Sequence, residues 1–458
     1  GFSGLSTAMH LARRGAQVAV VDPRPPLTAT SQYSTECYRD FFTDPALVPF
    51  LTRSIDLMEE LAGDENACAM NRRGYVFLSS SESGRRALEA FAETASSFGG
   101  GAVRTHHNGS AGYIRSPPRG WRHPDLVGFD IVYGSEAIRS VFPFVSEDAT
   151  VMLHARRCGW MDAHGMGLAM LAAAKEGRGG GSTRLVQGIV AGFDRGPDGA
   201  VRAVRVLDGA RAETALPCDA FVNAAGAWMP HLGRQLAPEA ELPLANEVHA
   251  KVVLNDTLGV IPQDEAPFMV WRDSVTLDWA GEEEGLVELD DTAAGGVVNS
   301  ASWTLPQPGG QHLRPAGNGR VLLLWEHLHR HIPVPEVPEL PFPDFLEMYP
   351  QLCVAGLAAM VPGLARYGEG ALGRGTTIDG GYYTVTPDGR PLVTRHGAPN
   401  AFVCGGMGTY GFMGAAAAGE LAALHVLGAE LPAYAAACEW PRKDVLAEKP
   451  VDLLDTSH

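Results

Sequence analysis

The chain has 458 residues, more than one hydrophobic core normally supports, so two or three lobes are expected. Its formal net charge of −17 argues against nucleic acid and against an anionic membrane surface as partners. No apolar run approaches the roughly 20 residues that a membrane span needs. The seven cysteines are scattered without a C-x-x-C pair, which predicts reduced thiols, no metal site and an intracellular, cytoplasmic location, although a targeting signal could precede Gly1.

The first segment, GFSGLSTAMHLARRGAQVAVVD, has features of a dinucleotide-binding loop. Gly1 and Gly4 precede apolar residues at helical spacing, and a short apolar strand then ends in Asp22. In the G-x-G-x-x-G fingerprint, the second glycine lets the backbone approach the pyrophosphate and the third lets helix and strand pack closely. An acid about 20 residues later binds the ribose. Gly1, Gly4 and Asp22 fit these three roles, and the acid favours NAD or FAD over NADP.

The first glycine and the first strand of this motif would lie before Gly1. We therefore expect the chain as given to bind FAD poorly, because that strand lies beneath the cofactor in such folds. A Gly-x-x-Gly before a helix also occurs as an ordinary turn, and that alternative stays open on this segment alone.

The remaining chain alternates between two kinds of segment, which predicts an α/β (α+β) fold. Residues 1–64, 151–236 and 376–445 have the strand, glycine-turn and helix pattern of a Rossmann-like nucleotide-binding lobe. This predicted lobe is discontinuous in the sequence, and its first strand is missing. Residues 65–150 and 237–375 have strands that carry aromatic and polar residues, as expected for a mixed-sheet substrate lobe. Two further stretches are an acidic surface insertion at 279–319 and a C-terminal tail at 446–458.

Two later segments are rich in small residues. In FVNAAGAWMPHL, an apolar strand ends at Ala225 and Gly226 with Trp228 beyond, so a flat cofactor could approach the backbone. In CGGMGTYGFMGAAAAGE, bare backbone precedes an Ala-rich helix, whose first N–H groups suit the electron-rich edge of a flavin. The alternatives are a tight strand-to-helix turn for the first segment and a helix-packing face for the second.

Four polar residues are candidates for a substrate pocket. Arg39, in SQYSTECYRD, could hold a substrate carboxylate with two hydrogen bonds, or it could belong to a surface ion pair. His249 and Lys251 alternate on one face of a strand and could shuttle protons or assist oxygen chemistry, unless they are solvated strand residues. Tyr383 lies in GGYYTVTPDGRPLV, which by itself predicts a hairpin.

Taken in order, these blocks resemble the D-amino-acid oxidase superfamily of FAD-dependent oxidoreductases. The similarity is to the branch of sarcosine oxidase, glycine oxidase and dimethylglycine-dehydrogenase-like proteins. The stretches STECYRDFF and MNRRGYVFLS are also similar to that branch, so the resemblance extends over nearly the whole chain.

The resemblance implies a flavin extended across the Rossmann-like lobe, with its reactive ring facing a pocket roofed by the inserted sheet. The cofactor contacts that it implies are Gly1, Ser3, Gly4 and Asp22 for the ADP half; Ser31, Ser34 and Thr35 for the pyrophosphate and flavin; Val190 for the adenine; Ala225, Gly226 and Trp228 along the cofactor; and Gly406, Met407, Gly408, Thr409, Gly411, Phe412 and Met413 at the flavin pyrimidine edge.

Two departures from the sarcosine oxidase pattern concern the cofactor and the substrate. Gly381 stands where those oxidases carry the cysteine that holds the flavin, so we expect non-covalent FAD. Met413 stands where they carry a lysine that contacts the substrate carboxylate. Recognition of a simple N-methyl amino acid is therefore not carried over, and Arg39 is the remaining candidate for a carboxylate clamp.

The leading hypothesis is an FAD-dependent enzyme that takes a hydride from the C–H next to the nitrogen of a small amine or amino acid. The product imine would hydrolyse, and oxygen or an unidentified acceptor would reoxidise the flavin. The pocket candidates are Arg39, Lys251, His249 and Tyr383. One alternative is an enzyme that oxidises a 2-hydroxy acid. The other is a flavin-binding assembly protein with little turnover.

Overall fold

The computed structural model of the protein describes residues 1–107, 112–117, 121–123, 125–277, 306–325, 330–331, 349–368, 372 and 375–442. The tail at 446–458 and residues 279–305 of the acidic insertion lie outside the described residues. Within the described part of the chain, no helix combines the length and the apolar composition needed to cross a membrane.

The described helices are α1 (Phe2–Ala12), α2 (Leu47–Ala62), α3 (Glu82–Ala95), α4 (Ser135–Val141), α5 (Ala163–Glu176), α6 (Met229–Leu236), α7 (Tyr349–Ala358) and α8 (Ala415–Leu427). The described strands are β1 (Gln17–Asp22), β2 (Cys37–Arg39), β3 (Tyr75–Ser79), β4 (Val103–His106), β5 (Phe129–Tyr133), β6 (Val151–Ala155), β7 (Cys158–Trp160), β8 (Ser182–Gln187), β9 (Ile189–Arg195), β10 (Val201–Leu207), β11 (Glu213–Pro217), β12 (Phe221–Asn223), β13 (Ala245–Asn255), β14 (Phe268–Trp271), β15 (His312–Gly317), β16 (Arg320–Leu324), β17 (Arg330–His331), β18 (Thr377–Val385), β19 (Leu392–Arg395) and β20 (Ala401–Gly405).

A large mixed sheet dominates one part of the molecule. Its strand order is β17-β13-β16-β15-β14-β3-β6-β5-β4, and β18 pairs antiparallel with β13. The pairs β14–β3 and β4–β5 are parallel, whereas the other pairs in the sheet are antiparallel. The mixed α/β class predicted from the sequence is therefore confirmed.

Smaller sheets and a helical layer form the rest. Parallel pairing joins β1 to β8 and β12 to β20, so each pair connects segments that are far apart in the sequence. Helix α1 packs against both α5 and α8, and the apolar residues of these helices form one core with those of α2. The burial of α1 nearly all round explains its high apolar content, because a helix without a solvated face has no need of a polar stripe.

Two strands from segments predicted for the nucleotide-binding lobe pair within the large sheet. Strands β6 and β18 fall inside segments predicted for the nucleotide-binding lobe, yet β6 lies between β3 and β5, and β18 pairs along β13. Strand β6 is buried along its whole length, so its apolar pattern is compatible with either sheet. The partner of a strand is a tertiary property that hydrophobic periodicity alone does not specify.

Helices α1 and α8 approach each other closely at Gly419. A Cβ atom placed on Gly419 would overlap the Ser6 hydroxyl and lie 2.5 Å from the Ser6 carbonyl carbon. The Ser6 hydroxyl donates a hydrogen bond to the Ala416 carbonyl across the same contact, at 3.2 Å. Just beyond it, the Arg53 guanidinium holds the Glu420 carboxylate with two bonds of 2.9 and 2.8 Å. Only a residue without a side chain fits at position 419.

We expect Gly419→Val to lower the free energy of unfolding by about 1–3 kcal/mol, because the added side chain forces the two helices apart. The matched control is Gly209→Val, since the space around Gly209 is open and its φ is negative. Chemical denaturation of both variants measures the difference. Equal midpoints for the two variants would show that the α1–α8 contact is not tight.

The burial of His10, on α1, leads us to expect that the free energy of unfolding falls in acid. Its side chain is buried, and burial lowers the pKa of His10 from its ordinary value of 6.5 to about 4. Between these values the unfolded chain binds a proton that the folded chain does not, so this contribution to stability is complete above about pH 6.5 and falls towards pH 4. A shift of this size corresponds to at most about 3 kcal/mol.

We therefore expect His10→Gln to make the dependence of unfolding free energy on pH shallower between pH 6.5 and 4. His164→Gln is the control because His164 is exposed on α5. Denaturation curves at several pH values measure the slopes. An unchanged slope for His10→Gln would show that the acid dependence of stability does not come from the lowered pKa of His10.

Candidate functional site

A cavity of about 1330 Å³ lies where the sheets and the helical layer meet. Typical small-molecule pockets are about 300–1,000 Å³, so this space suits a larger ligand. Its wall includes the start of α1, strand β1, residues 29–35, strand β12 with the turn after it, parts of β13 and β18, and the turn before α8. Segments separated by hundreds of residues thus share one wall.

The cofactor contacts implied by the resemblance lie together in this wall. They are Gly1, Ser3, Gly4, Asp22, Ser31, Ser34, Thr35, Val190, Ala225, Gly226, Trp228, Gly406, Met407, Gly408, Thr409, Gly411, Phe412 and Met413. Of the pocket candidates, His249, Lys251 and Tyr383 also line the cavity.

The start of α1 presents bare backbone to the cavity. Gly1 occupies the N-cap position, and no side chain there accepts a hydrogen bond from the first turn. A Cβ on Gly1 would lie 3.0 Å from the Ser31 hydroxyl, and one on Gly4 would lie 3.6 Å from the Ala224 Cβ. The first N–H groups of a helix attract anionic oxygens, so this wall has the chemistry of a pyrophosphate site.

Asp22 ends β1 at the same side of the cavity. Its carboxylate accepts a hydrogen bond of 3.0 Å from the Arg24 backbone N–H, which holds the carboxylate at the end of the strand. The Arg24 guanidinium lies 5.4 Å from the centre of the Trp228 ring. Val190, on β9, lines the same region. A carboxylate beside an aromatic and an apolar residue is suited to a ribose and an adenine.

The turn before α8 presents a second stretch of bare backbone to the cavity. Gly406 and Gly408 have φ values of +61° and +48°, a conformation that favours glycine. The helix itself begins behind this turn, where the Ala417 N–H donates to the Ser54 hydroxyl at 3.2 Å. Phe412 packs against Phe2 of α1 with ring centres 4.9 Å apart, which brings the turn and the start of α1 to the same cavity. The glycine-rich turn leaves room for a flat ring to approach the backbone.

Five side chains on β13 and β18 form what we call the polar ladder: Glu247, His249 and Lys251 on β13, and Asp379 and Tyr383 on β18. Glu247 is paired directly with Tyr383, and Lys251 directly with Asp379, so these side chains share one face of the sheet. Gly381 is the partner of His249, and a Cβ on it would lie 2.9 Å from the Thr30 methyl group. The ladder therefore faces residues 29–35, which line the cavity.

His249 is held on two sides within the ladder. Its Nε2 lies 3.0 Å from a Glu247 carboxylate oxygen. Its ring is stacked on Tyr383, with ring centres 3.9 Å apart and planes 8° from parallel. His249 and Tyr383 line the cavity, whereas Glu247 does not, so the carboxylate stands behind the imidazole.

Lys251 is committed to contacts within the protein. Its ammonium donates a hydrogen bond of 2.8 Å to the Tyr33 carbonyl and forms an ion pair with Asp379. Burial lowers the pKa of Lys251, and the Asp379 carboxylate opposes that change. On β15, the Arg314 guanidinium donates to the Thr35 carbonyl at 2.9 Å and to the Glu36 carboxylate at 2.7 Å. The two cations together hold residues 33–36 on the large sheet.

The structure places Arg39 outside the cavity wall. Arg39 is the last residue of β2, which pairs with β7, and only 2% of its surface is exposed. Its guanidinium lies 4.5 Å from the Phe42 ring centre and 5.3 Å from that of Phe41. The short strand directs Arg39 into an aromatic cluster, so the geometry does not support its prediction as a carboxylate clamp.

Sequence reasoning missed Glu247, Asp379, Arg314 and Glu36. Glu247 carried a usable signal, because E-x-H-x-K puts three polar side chains on one face of a strand. Asp379 and Arg314 carried none, because Asp379 is 128 residues from its partner Lys251 and Arg314 is 278 residues from its partner Glu36.

Comparison with known proteins gives the family. No curated protein sequence matches the chain. Three solved structures resemble it in fold. The L-proline dehydrogenase from P. horikoshii has 17% identity and a TM-score of 0.66, covering 95% of this chain and 94% of its own. The glycine oxidase from Geobacillus kaustophilus has 15% identity and a TM-score of 0.62, covering 94% and 93%. The iminodiacetate oxidase from Chelativorans sp. BNC1 has 17% identity and a TM-score of 0.63, covering 99% and 98%.

The family model for FAD dependent oxidoreductases, DAO, matches residues 1–275, more than half of the chain. This match confirms the family resemblance and the FAD cofactor expected from the glycine-rich segments. The chain belongs to the DAO family of FAD-dependent oxidoreductases.

Proposed function

We propose that the protein oxidises a small amine or amino acid at the C–H next to its nitrogen, with FAD bound non-covalently along the cavity. The observation that carries the proposal is the joint wall of this cavity. The start of α1, which has no side-chain cap, and the glycine-rich turn before α8 line it together with a histidine that contacts a carboxylate. Such a wall can hold an anionic cofactor at one end and receive a protonated amine at the other.

The described residues fit FAD on physical grounds. The start of α1 would bind the pyrophosphate, Asp22 would accept the ribose hydroxyls, and the glycine-rich turn before α8 would contact the flavin pyrimidine edge. When bound, FAD supplies the two-electron acceptor for the hydride. A side chain at Gly381 would press on Thr30, with its Cβ 3.1 Å from the Thr30 Cα, so this position does not suit a residue that anchors the flavin.

The substrate class is supported by the named activities of the proteins with similar folds. Proline, glycine and iminodiacetate each have a C–H group next to an amine nitrogen. The product imine would hydrolyse, and either oxygen or another acceptor is compatible with this chemistry. We retain an intracellular location as a proposal, on the scattered free cysteines of the sequence.

A substrate panel tests the function. Glycine, L-proline, iminodiacetate and benzylamine are mixed without oxygen with protein that has been reconstituted with excess FAD, beside glycolate and L-lactate at equal concentrations. We expect at least one amine to bleach the flavin absorbance and the hydroxy acids to leave it unchanged. Bleaching by a hydroxy acid alone would replace the proposal with C–O oxidation, and no bleaching by any compound would favour a binding protein with little turnover.

Acid precipitation of the same protein should release all its flavin into the supernatant, because the cofactor is proposed to be bound non-covalently.

A second prediction concerns Lys251, to which we assign a positioning role. Lys251→Met removes the hydrogen bond to the Tyr33 carbonyl and leaves the Asp379 carboxylate without its cation. Loss of one partner of a buried polar contact costs about 1–3 kcal/mol, so amide hydrogen exchange at residues 30–36 should become roughly 5- to 150-fold faster. Lys175→Met, at an exposed site on α5, should change nothing there. Equal exchange in both variants would contradict the positioning role.

A further inference from the structure

Residues 29–35, which line the cavity, lie between two residues whose backbone is left-handed although neither is glycine. Leu27 and Glu36 have φ values of +67° and +64°. For a residue with a side chain, this conformation is disfavoured by roughly 5- to 30-fold in equilibrium. Such a residue keeps it only where the surrounding contacts impose it. The contacts of Leu27 and Glu36 therefore decide the shape of the segment between them.

Leu27 is held by packing. Its side chain is buried in the core that α1, α2, α5 and α8 share. It fills the space beside Gly167 on α5, where an added Cβ would lie 2.5 Å from a Leu27 methyl carbon. This end of the segment is therefore fixed by the same core that carries the start of α1.

Glu36 is held by hydrogen bonds at each of its polar groups. Its N–H donates to the Ser34 hydroxyl at 3.0 Å, and its carbonyl accepts from the Met161 N–H at 3.1 Å. Its carboxylate accepts a bond of 2.7 Å from Arg314, whose guanidinium also donates to the Thr35 carbonyl at 2.9 Å. The planar guanidinium thus spans two consecutive residues, which the compact ammonium of a lysine is less suited to do.

Arg314 is itself fixed within the large sheet. It is buried on β15, and its guanidinium makes a further bond of 2.8 Å to the Pro315 carbonyl. The guanidinium also lies 5.3 Å from the centre of the Trp160 ring. A buried cation with three hydrogen-bond acceptors and an aromatic neighbour has little freedom to move, so it can impose a conformation on the segment that it holds.

We propose that Arg314 is a positioning residue for the cofactor, because it holds Glu36 in the left-handed conformation before FAD binds. This inference rests on the proposed placement of FAD along the cavity, but it does not depend on the identity of the substrate. The Ser34 oxygen accepts the Glu36 N–H, so the Ser34 hydroxyl hydrogen can be directed at an oxygen of a ligand in the cavity. Without Arg314 the segment would relax, and FAD would have to restore the strained form at a cost in affinity.

Amide hydrogen exchange in the FAD-free protein tests whether Arg314 holds the segment. The wild-type protein is compared with Arg314→Met and with Arg320→Met, which changes an exposed arginine on the neighbouring strand β16. Arg314→Met should speed exchange at residues 34–37 about tenfold or more, because the Thr35 carbonyl and the Glu36 carboxylate lose their charged donor. Arg320→Met should match the wild-type protein. Unchanged exchange in Arg314→Met would overturn the proposal.

Substitutions at Glu36 separate positioning of the cofactor from general damage. Titration with FAD, followed by flavin fluorescence, measures affinity for Arg314→Met alone and combined with Glu36→Gly or Glu36→Ala. Both second changes remove a carboxylate that has lost its partner, but only glycine removes the backbone penalty.

We expect Arg314→Met to bind FAD about tenfold or more weakly than the wild-type protein, and the added Glu36→Gly to recover much of this loss. The double variant with Glu36→Ala should bind roughly 5- to 30-fold more weakly than the one with Glu36→Gly, because alanine keeps the backbone penalty. Equal affinities of the two double variants would overturn the proposal, since a structural defect at Arg314 has no reason to distinguish glycine from alanine at position 36.

The same contrast is available with Arg314 in place. If Arg314→Met does not fold, Glu36→Gly and Glu36→Ala are compared as single variants. Both lack the carboxylate, and the bond from Arg314 to the Thr35 carbonyl remains, so we expect a smaller difference in the same direction. Equal FAD affinities of the two single variants would overturn the proposal.

The outcomes separate this inference from the proposed function, because exchange and FAD affinity require no substrate. If no amine bleaches the flavin but the glycine and alanine variants differ as expected, the proposed oxidation fails and the role of Arg314 stands. If an amine bleaches the wild-type flavin and Arg314→Met matches the wild-type protein in exchange and FAD affinity, the function stands and the role of Arg314 is overturned. Wild-type protein that takes up no FAD would overturn both.

Discussion

The register between β13 and β18 is the constraint on which the candidate site depends most. It sets Lys251 opposite Asp379, Gly381 opposite His249 and Tyr383 opposite Glu247. Because side chains alternate between the two faces of a sheet, a shift by one residue would turn all of β13's polar groups away from their partners. The bare position at Gly381 has a second effect, since it lets residues 29–35 lie directly over the ladder. One strand pairing thus fixes both the polar groups and the segment that faces them.

The helix pair α1 and α8 supplies the other half of the wall. The helices touch at Gly419, and the Phe2–Phe412 contact brings the start of α1 beside the glycine-rich turn that precedes α8, so both line one cavity. A helix start without a side-chain cap leaves backbone donors for water or a ligand to satisfy. The start of α1 therefore gives this side of the cavity partial positive charge, which suits an anionic cofactor.

The parts of the site that sequence reasoning found are those that depend on local backbone chemistry. Glycines before a helix, small residues at the end of a strand and an acid after the next strand have short-range signatures, and the residues predicted from them line one cavity. The environment of Arg39 is set by the pairing of β2 with β7 and by the rings of Phe41 and Phe42, none of which a local pattern specifies. The pairing of β6 and β18 within the large sheet is likewise a tertiary property. Asp379 and Arg314 have roles only through partners that are distant in the sequence, so no local pattern could reveal them.

Lys251 and His249 show how the same strand face yields two different roles. Both were equivalent candidates in the sequence, because they lie two residues apart and carry basic side chains. The structure gives Lys251 a carboxylate and a backbone carbonyl as partners, which satisfy a charged ammonium and bind it to the frame. The Nε2 of His249 lies 3.0 Å from a Glu247 carboxylate oxygen, and its ring is stacked on Tyr383 at the cavity wall. Two basic residues on one strand face therefore differ in role because their partners come from different parts of the chain, and a role that depends on such partners is not readable from the strand alone.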